Sequence, residues 1–179
     1  MRNLVILLVL ALGNGLAQSG PNMPVDLGPI GVVYLLNSSD QSFKVLPDES
    51  WKAVHSSTFK AAYGSKHLLT MSLEVSGARS PFRIASGKAG FVFTFDSPEN
   101  AALYASSDSK DKRQFPVETV AIGDNKITPL SGIPVDLTQF GKSSYKMVPK
   151  SPLASGEYVI ILRGSTQMKE HKAFTFGVD

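Results

Sequence analysis

Apolar and polar positions alternate along most of this chain in runs of strand length, separated by clusters of Gly, Pro, Asn and Ser. The alternation is cleanest over residues 68–75, where Leu69, Met71, Leu73 and Val75 fall on one side of an extended chain and Leu68, Thr70, Ser72 and Glu74 on the other. That period of two predicts a half-buried strand. Residues 90–95 repeat it with Phe91, Phe93 and Phe95 on one face, an aromatic ridge for a core to absorb or, left open, a platform for a ligand. Residues 158–162 (YVIIL) carry no polar interruption and are rich in β-branched side chains, which predicts a central strand covered on both faces. Residues 173–178 (AFTFGV) place Phe174, Phe176 and Val178 on one side, so the last strand must be docked.

Shorter runs complete the pattern at residues 30–36 (IGVVYLL), 42–46, 82–85, 103–106, 113–122 (broken by Pro116), 126–130 and 133–137. A further strand starts at Ser143, where Tyr145 and Met147 alternate with Lys146 until Pro149 and Pro152 withdraw the donors a ladder needs. Gly123-Asp124-Asn125 reads as a tight turn, and residues 107–112 (SDSKDK) as a solvated loop tip. Asp108 and Asp111 in that tip lack the ligand spacing of a calcium loop. The total of about nine to eleven short strands predicts an all-β chain folded as an Ig-like Greek-key β-sandwich of two facing layers.

Residues 47–64 admit two readings. Trp51, Val54, His55, Thr58, Phe59 and Ala62 have helical spacing, with Asp48 as a cap and Gly64 as a stop, which predicts one short helix near residues 48–63. Ser56, Ser57 and Thr58 instead favour strand or turn. Trp51 is a core anchor or a platform for a sugar ring.

Leu153, Gly156 and Tyr158 are the structural residues that stand out. Gly156 suits a tight corner with positive φ, and Tyr158 at a strand start fits a tyrosine corner, its hydroxyl bonding backbone just upstream.

At the N-terminus, Arg2, an apolar run over residues 4–12 and the ending Gly15-Leu16-Ala17 predict a signal peptide over residues 1–17. Residues 18–29, with three Pro and two Gly, make an extended lead-in, and residues 30–179 a single domain. The mature protein is therefore expected to be secreted, periplasmic or extracellular, with no transmembrane segment after cleavage. Asn37-Ser38-Ser39 fits the N-glycosylation triplet but reads as a turn.

Composition narrows the chemistry. There is no Cys, hence no disulfide framework, thiol nucleophile or zinc–thiolate site, and a packed core must supply the stability. The net charge of +3 comes from Lys and Arg that are scattered rather than striped, which gives no nucleic-acid footprint. No G-x-S-x-G elbow or phosphate-cradling Gly loop occurs, and His55, His67 and His171 stand apart with no second ligand at metal spacing. No catalytic, metal or cofactor residue is assigned on these grounds, and no cofactor is expected.

The segments IGVVYLL, ARSPFRIASGKAGFVF (residues 78–93) and SPLASGEYVII (residues 151–161), with the closing FTFGVD, together resemble uncharacterised secreted bacterial β-sandwich proteins. In those proteins an L-x-P-G-E-Y segment precedes a final F-G-V-D strand; here Ser155 stands where Pro is frequent. The resemblance implies a compact Ig-like sandwich outside the cytoplasm and no activity. The expected function is a non-enzymatic binding or structural module whose partner is a protein, a glycan or an envelope component. The alternative is a secreted hydrolase whose site forms only in the fold, for which two of the three histidines would have to meet a Ser or carboxylate in a deep pocket.

Overall fold

The computed structural model describes residues 27–37, 41–57, 68–85, 89–107, 111–121, 126–164 and 170–179. These hold thirteen β-strands and a single 3-10 turn at Pro98–Asn100. The strands, numbered in chain order, form three sheets. Sheet A runs β10 (Val135–Gln139), β11 (Ser144–Pro149), β6 (Gly90–Thr94), β1 (Val33–Leu36), β2 (Phe43–Val45). Sheet B runs β5 (Arg83–Ile84), β13 (Lys172–Val178), β12 (Gly156–Leu162), β7 (Ala101–Ala105). Sheet C runs β3 (Trp51–Ser57), β4 (Leu68–Ser76), β8 (Lys112–Ala121), β9 (Lys126–Pro129). All neighbours are antiparallel except β5 and β13, which pair in parallel over two residues.

Sheet B is the middle layer. Tyr158, Ile160 and Leu162 of β12, with Phe174, Phe176 and Val178 of β13, pack against Val33, Phe91, Phe93 and Met147 of sheet A. The intervening Val159, Ile161 and Ala173 pack on the opposite face against Leu73, Val75, Phe115 and Val117 of sheet C. A strand covered on both sides has no use for polar alternation, which is why YVIIL is unbroken. Phe91, Phe93 and Phe95 are fully buried, so the aromatic ridge belongs to the core and is no platform.

The sandwich-like, nearly all-β architecture expected from sequence is present, with a third sheet beyond the two layers anticipated. The stretch whose spacing suggested a helix near residues 48–63 is strand β3 over Trp51–Ser57, paired with β4 from Trp51↔Val75 to Ser57↔Leu69. Its Ser-rich end and the ladder offered by β4 outweigh the helical spacing. Asp48 caps nothing; it forms an isolated bridge with Phe174. Residues 58–64 lie outside the described residues, as do the expected leader over residues 1–17, the expected lead-in up to residue 26 and the turn expected at residues 123–125.

Strand β4 is more than half buried. Its outward Glu74 is only 6% exposed because β4 has β3 on one side and β8 on the other, and their long side chains lie over it. Lys52 Nζ and Lys112 Nζ each approach a Glu74 oxygen at 2.9 Å, and Gln114 Nε2 donates at 2.8 Å. Hydrogen bonds from Lys52, then Lys112, hold the Glu74 carboxyl at about 2, against an ordinary 4.5. A depressed carboxylate pKa stabilises the fold fully above the unfolded value, and the contribution is lost as pH falls from about 4.5 to about 2. Urea midpoints measured across that window are expected to fall with pH, and Glu74→Gln to flatten the fall; an equally steep decline in Glu74→Gln would remove Glu74 as its source.

The Tyr158 hydroxyl donates to the Ala154 carbonyl at 2.7 Å, and its ring stacks on Phe176 at 5.5 Å between centroids. Leu153 is buried in the same core. Gly156 departs from expectation: it opens β12 without a positive φ, and a Cβ there would meet the Tyr158 ring at 3.7 Å, an ordinary contact. The turn is closed by the tyrosine, with no left-handed glycine. Tyr158→Phe keeps the stacking and loses the hydrogen bond, so unfolding free energy is expected to drop by about 1 kcal/mol; an unmoved denaturation midpoint would show that the bond contributes nothing.

Candidate functional site

One segment touches all three layers. The Leu46 amide donates to the Val33 carbonyl of sheet A at 2.8 Å, Glu49 N–H donates to the Ala173 carbonyl of sheet B at 2.9 Å, and Trp51 begins β3 of sheet C. Glu49 is fixed a second time by Arg113, whose Nη2 donates to Glu49 Oε2 at 2.7 Å. Opposite this segment, His171 immediately precedes β13, and the Gly164 amide donates to His171 Nδ1 at 2.9 Å. Trp51 and His171 thereby come to face each other at 6.5 Å between ring centroids.

Two hollows share that ring pair. Between sheets B and C lies a slot of ≈ 250 Å³ walled by Ala53, Met71, Leu73, Val117 and Ile161, with Glu118 and Arg163 as its polar members. Outside it is an open groove of ≈ 550 Å³ bordered by Asp48, Glu49, Ser50, Glu170 and Lys172. Trp51 is half-buried: it packs against the B–C core while bordering both hollows. The two roles weighed for it from sequence, anchor and surface platform, are compatible in this position.

A β-bulge brings Glu118 inward. Leu73 pairs with Phe115 and Ser72 with Pro116, but Met71 pairs with Glu118, leaving Val117 as the extra residue. Cross-strand partners share a face, so the bulge moves Glu118 onto the inner side with Met71, the re-aiming such irregularities allow. There Glu118 Oε1 lies 3.8 Å from Arg163 Nε, while Arg163 Nη2 donates to the Tyr104 hydroxyl at 2.7 Å. Tyr104 in turn donates to the Leu130 carbonyl at 3.3 Å, and burial pushes its phenol pKa up, so it remains a donor.

The residues singled out from sequence are not brought together here. Tyr158 and Leu153 belong to the core between sheets A and B, on the far face of sheet B from the slot. His55 sits exposed on β3 opposite Met71, His171 stands at the slot, and His67 lies outside the described residues. Asp108 is likewise outside them and Asp111 is exposed. Among the described residues no three His, Cys, Asp or Glu side chains are grouped to hold a metal ion, and no helix is long and apolar enough to cross a membrane. Glu118 and Arg163 escaped the sequence reading because a bulge and the end of an apolar run carry no motif.

No protein-family model, curated protein or solved structure matches the chain.

Proposed function

We propose that this protein is a non-enzymatic binding module of the periplasm or extracellular space, and that the cleft between Trp51 and His171 receives its ligand. The observation that carries the reading is a preformed apolar slot with few polar members, bordered by a half-buried tryptophan, the usual make-up of a ligand site. The leader pattern of residues 1–17 supports the compartment. The hydrolase alternative receives no support from His171, the one histidine at the slot among the described residues. His171 Nδ1 accepts the Gly164 amide, whereas a triad base donates Nδ1–H to an orienting carboxylate.

Trp51 is the only tryptophan, so its emission reports on the cleft without background. Titration with short peptides, soluble oligosaccharides and the amphiphilic dye anilinonaphthalene sulfonate is expected to give a saturable emission shift with at least one class. Ester, amide and glycoside reporter substrates are expected to remain intact. A flat response to every class, or turnover abolished by His171→Ala, would overturn the reading.

A further inference from the structure

We infer that the ligand is an extended segment of a partner protein, added as a new strand to the outer edge of β3 with every second, apolar side chain entering the slot. This rests on the cleft being the ligand site. The sheet edges are not equally open to another chain. A free edge is a template for another chain, and folded proteins blunt it by shortness, charge, proline or cover; the one lysine of β3, Lys52, is drawn onto Glu74 of the neighbouring strand. Strand β2 has three residues, β5 two, and β9 four ending in Pro129. Strand β7 is covered where the Ile133 amide donates to the Leu103 carbonyl at 2.7 Å, and the approach is so close that a Cβ on Gly132 would sit 2.6 Å from that oxygen. Strand β13 is flanked by β5 at one end and by Asp48 and Glu49 at the other. Strand β10 is an edge of five residues. Strand β3 is the longest edge at seven, and among the described residues no strand pairs with its outer side.

The register of β3 favours the same edge. Trp51 and Ala53, alternate residues of β3, border the slot, so they mark the face of sheet C that looks toward sheet B. A strand hydrogen-bonded to the outer edge of β3 places its own alternate side chains on that same face, beside Trp51 and Ala53. Main-chain bonds then supply affinity and the slot supplies selection, the division of labour of β-strand addition. A saccharide would use the indole but leave the edge of β3 unpaired.

The probe is acetyl-Thr-Leu-Thr-Leu-Thr-amide, compared with acetyl-Thr-Leu-Pro-Leu-Thr-amide, which lacks one strand donor. Trp51 emission is expected to shift saturably with the first, and at least tenfold more weakly with the second. Amide exchange within β3 is expected to slow in alternation. Ala53→Phe, which fills the slot from an exposed position, is expected to abolish the shift while circular dichroism stays unchanged. Equal response to both peptides, unaltered binding by Ala53→Phe, or an emission shift without β3 protection would overturn strand addition while leaving the cleft a binding site. A shift with oligosaccharides alone, or β3 protection that grows with protein concentration and no peptide, would replace the partner with a glycan or a second copy. Silence from peptides, oligosaccharides and anilinonaphthalene sulfonate together would instead remove the binding site itself.

Discussion

Arg113→Ala is expected to lower the unfolding free energy by about 3–5 kcal/mol, because it strips the partner from a carboxylate held between layers. Arg113 is 2% exposed, and its guanidinium is fully engaged. Nη2 donates to Glu49 Oε2 at 2.7 Å and to the Ser76 carbonyl at 3.0 Å, Nη1 to Thr175 Oγ1 at 2.5 Å, and Nε to the Gly77 carbonyl at 3.1 Å. The network continues from Thr175 to Ser80, whose amide donates to Glu157 Oε2 at 2.7 Å, and Glu157 is bonded to Arg83. Among the described residues, removing Arg113 leaves the Glu49 carboxylate with the Thr175 hydroxyl and takes a donor from two carbonyls. Glu49 is 18% exposed and borders the open groove, so water relieves part of the desolvation cost that the remaining charge then carries. Replacing both partners, Arg113→Met with Glu49→Met, removes both desolvation penalties, so the double variant is expected to be more stable than Arg113→Ala. Urea titration followed by circular dichroism decides the ranking; a double variant as unstable as the single one would show that the carboxylate was never the cost. Because Glu49 also pins the segment leading into Trp51, Arg113→Ala should shift Trp51 emission to longer wavelength before unfolding begins.

What was legible beforehand divides along physical lines. Period-two alternation and unbroken apolar runs report how many faces of a strand are covered, so β4, β12 and β13 could be placed and β12 recognised as central. The same signal does not say how many layers there are. Val159 and Ile161 look alike in sequence whether they meet one broad sheet or a third layer. Over residues 47–64, Trp51, Val54 and His55 satisfied a helical period, and only the long-range ladder with β4 decided for strand. The corner at Tyr158 could be anticipated because its geometry is local, four residues from donor to acceptor. The cleft could not, since Trp51, Glu118, Arg163 and His171 converge through sheet stacking and a bulge, neither of which leaves a spacing to read. Arg113 was hidden for the same reason: an arginine in a strand reads as surface until the layer above it is known.

Phe176→Ala tests whether sheet B is shared between the two cores. Phe176 is fully buried, its ring 4.8 Å from Phe91 and 5.5 Å from Tyr158 between centroids. Loss of a ring from such a position costs its transfer free energy and leaves a cavity, together about 3–5 kcal/mol. A truncation at the exposed Ile127 is expected to stay within about 0.5 kcal/mol. The informative part is where the loss is felt. Phe176 belongs to the core between sheets A and B, whereas Trp51 packs on the core between B and C. Strands β12 and β13 contribute alternate residues to each, so neither core can melt without stripping one face of the same two strands. Denaturation of Phe176→Ala followed by Trp51 emission and by far-ultraviolet circular dichroism is therefore expected to give coincident midpoints, both lowered by the same amount. A Trp51 transition that stays at the wild-type midpoint while the dichroism falls early would mean that sheet C and its cleft are held independently, and the three layers would then be two cooperative units.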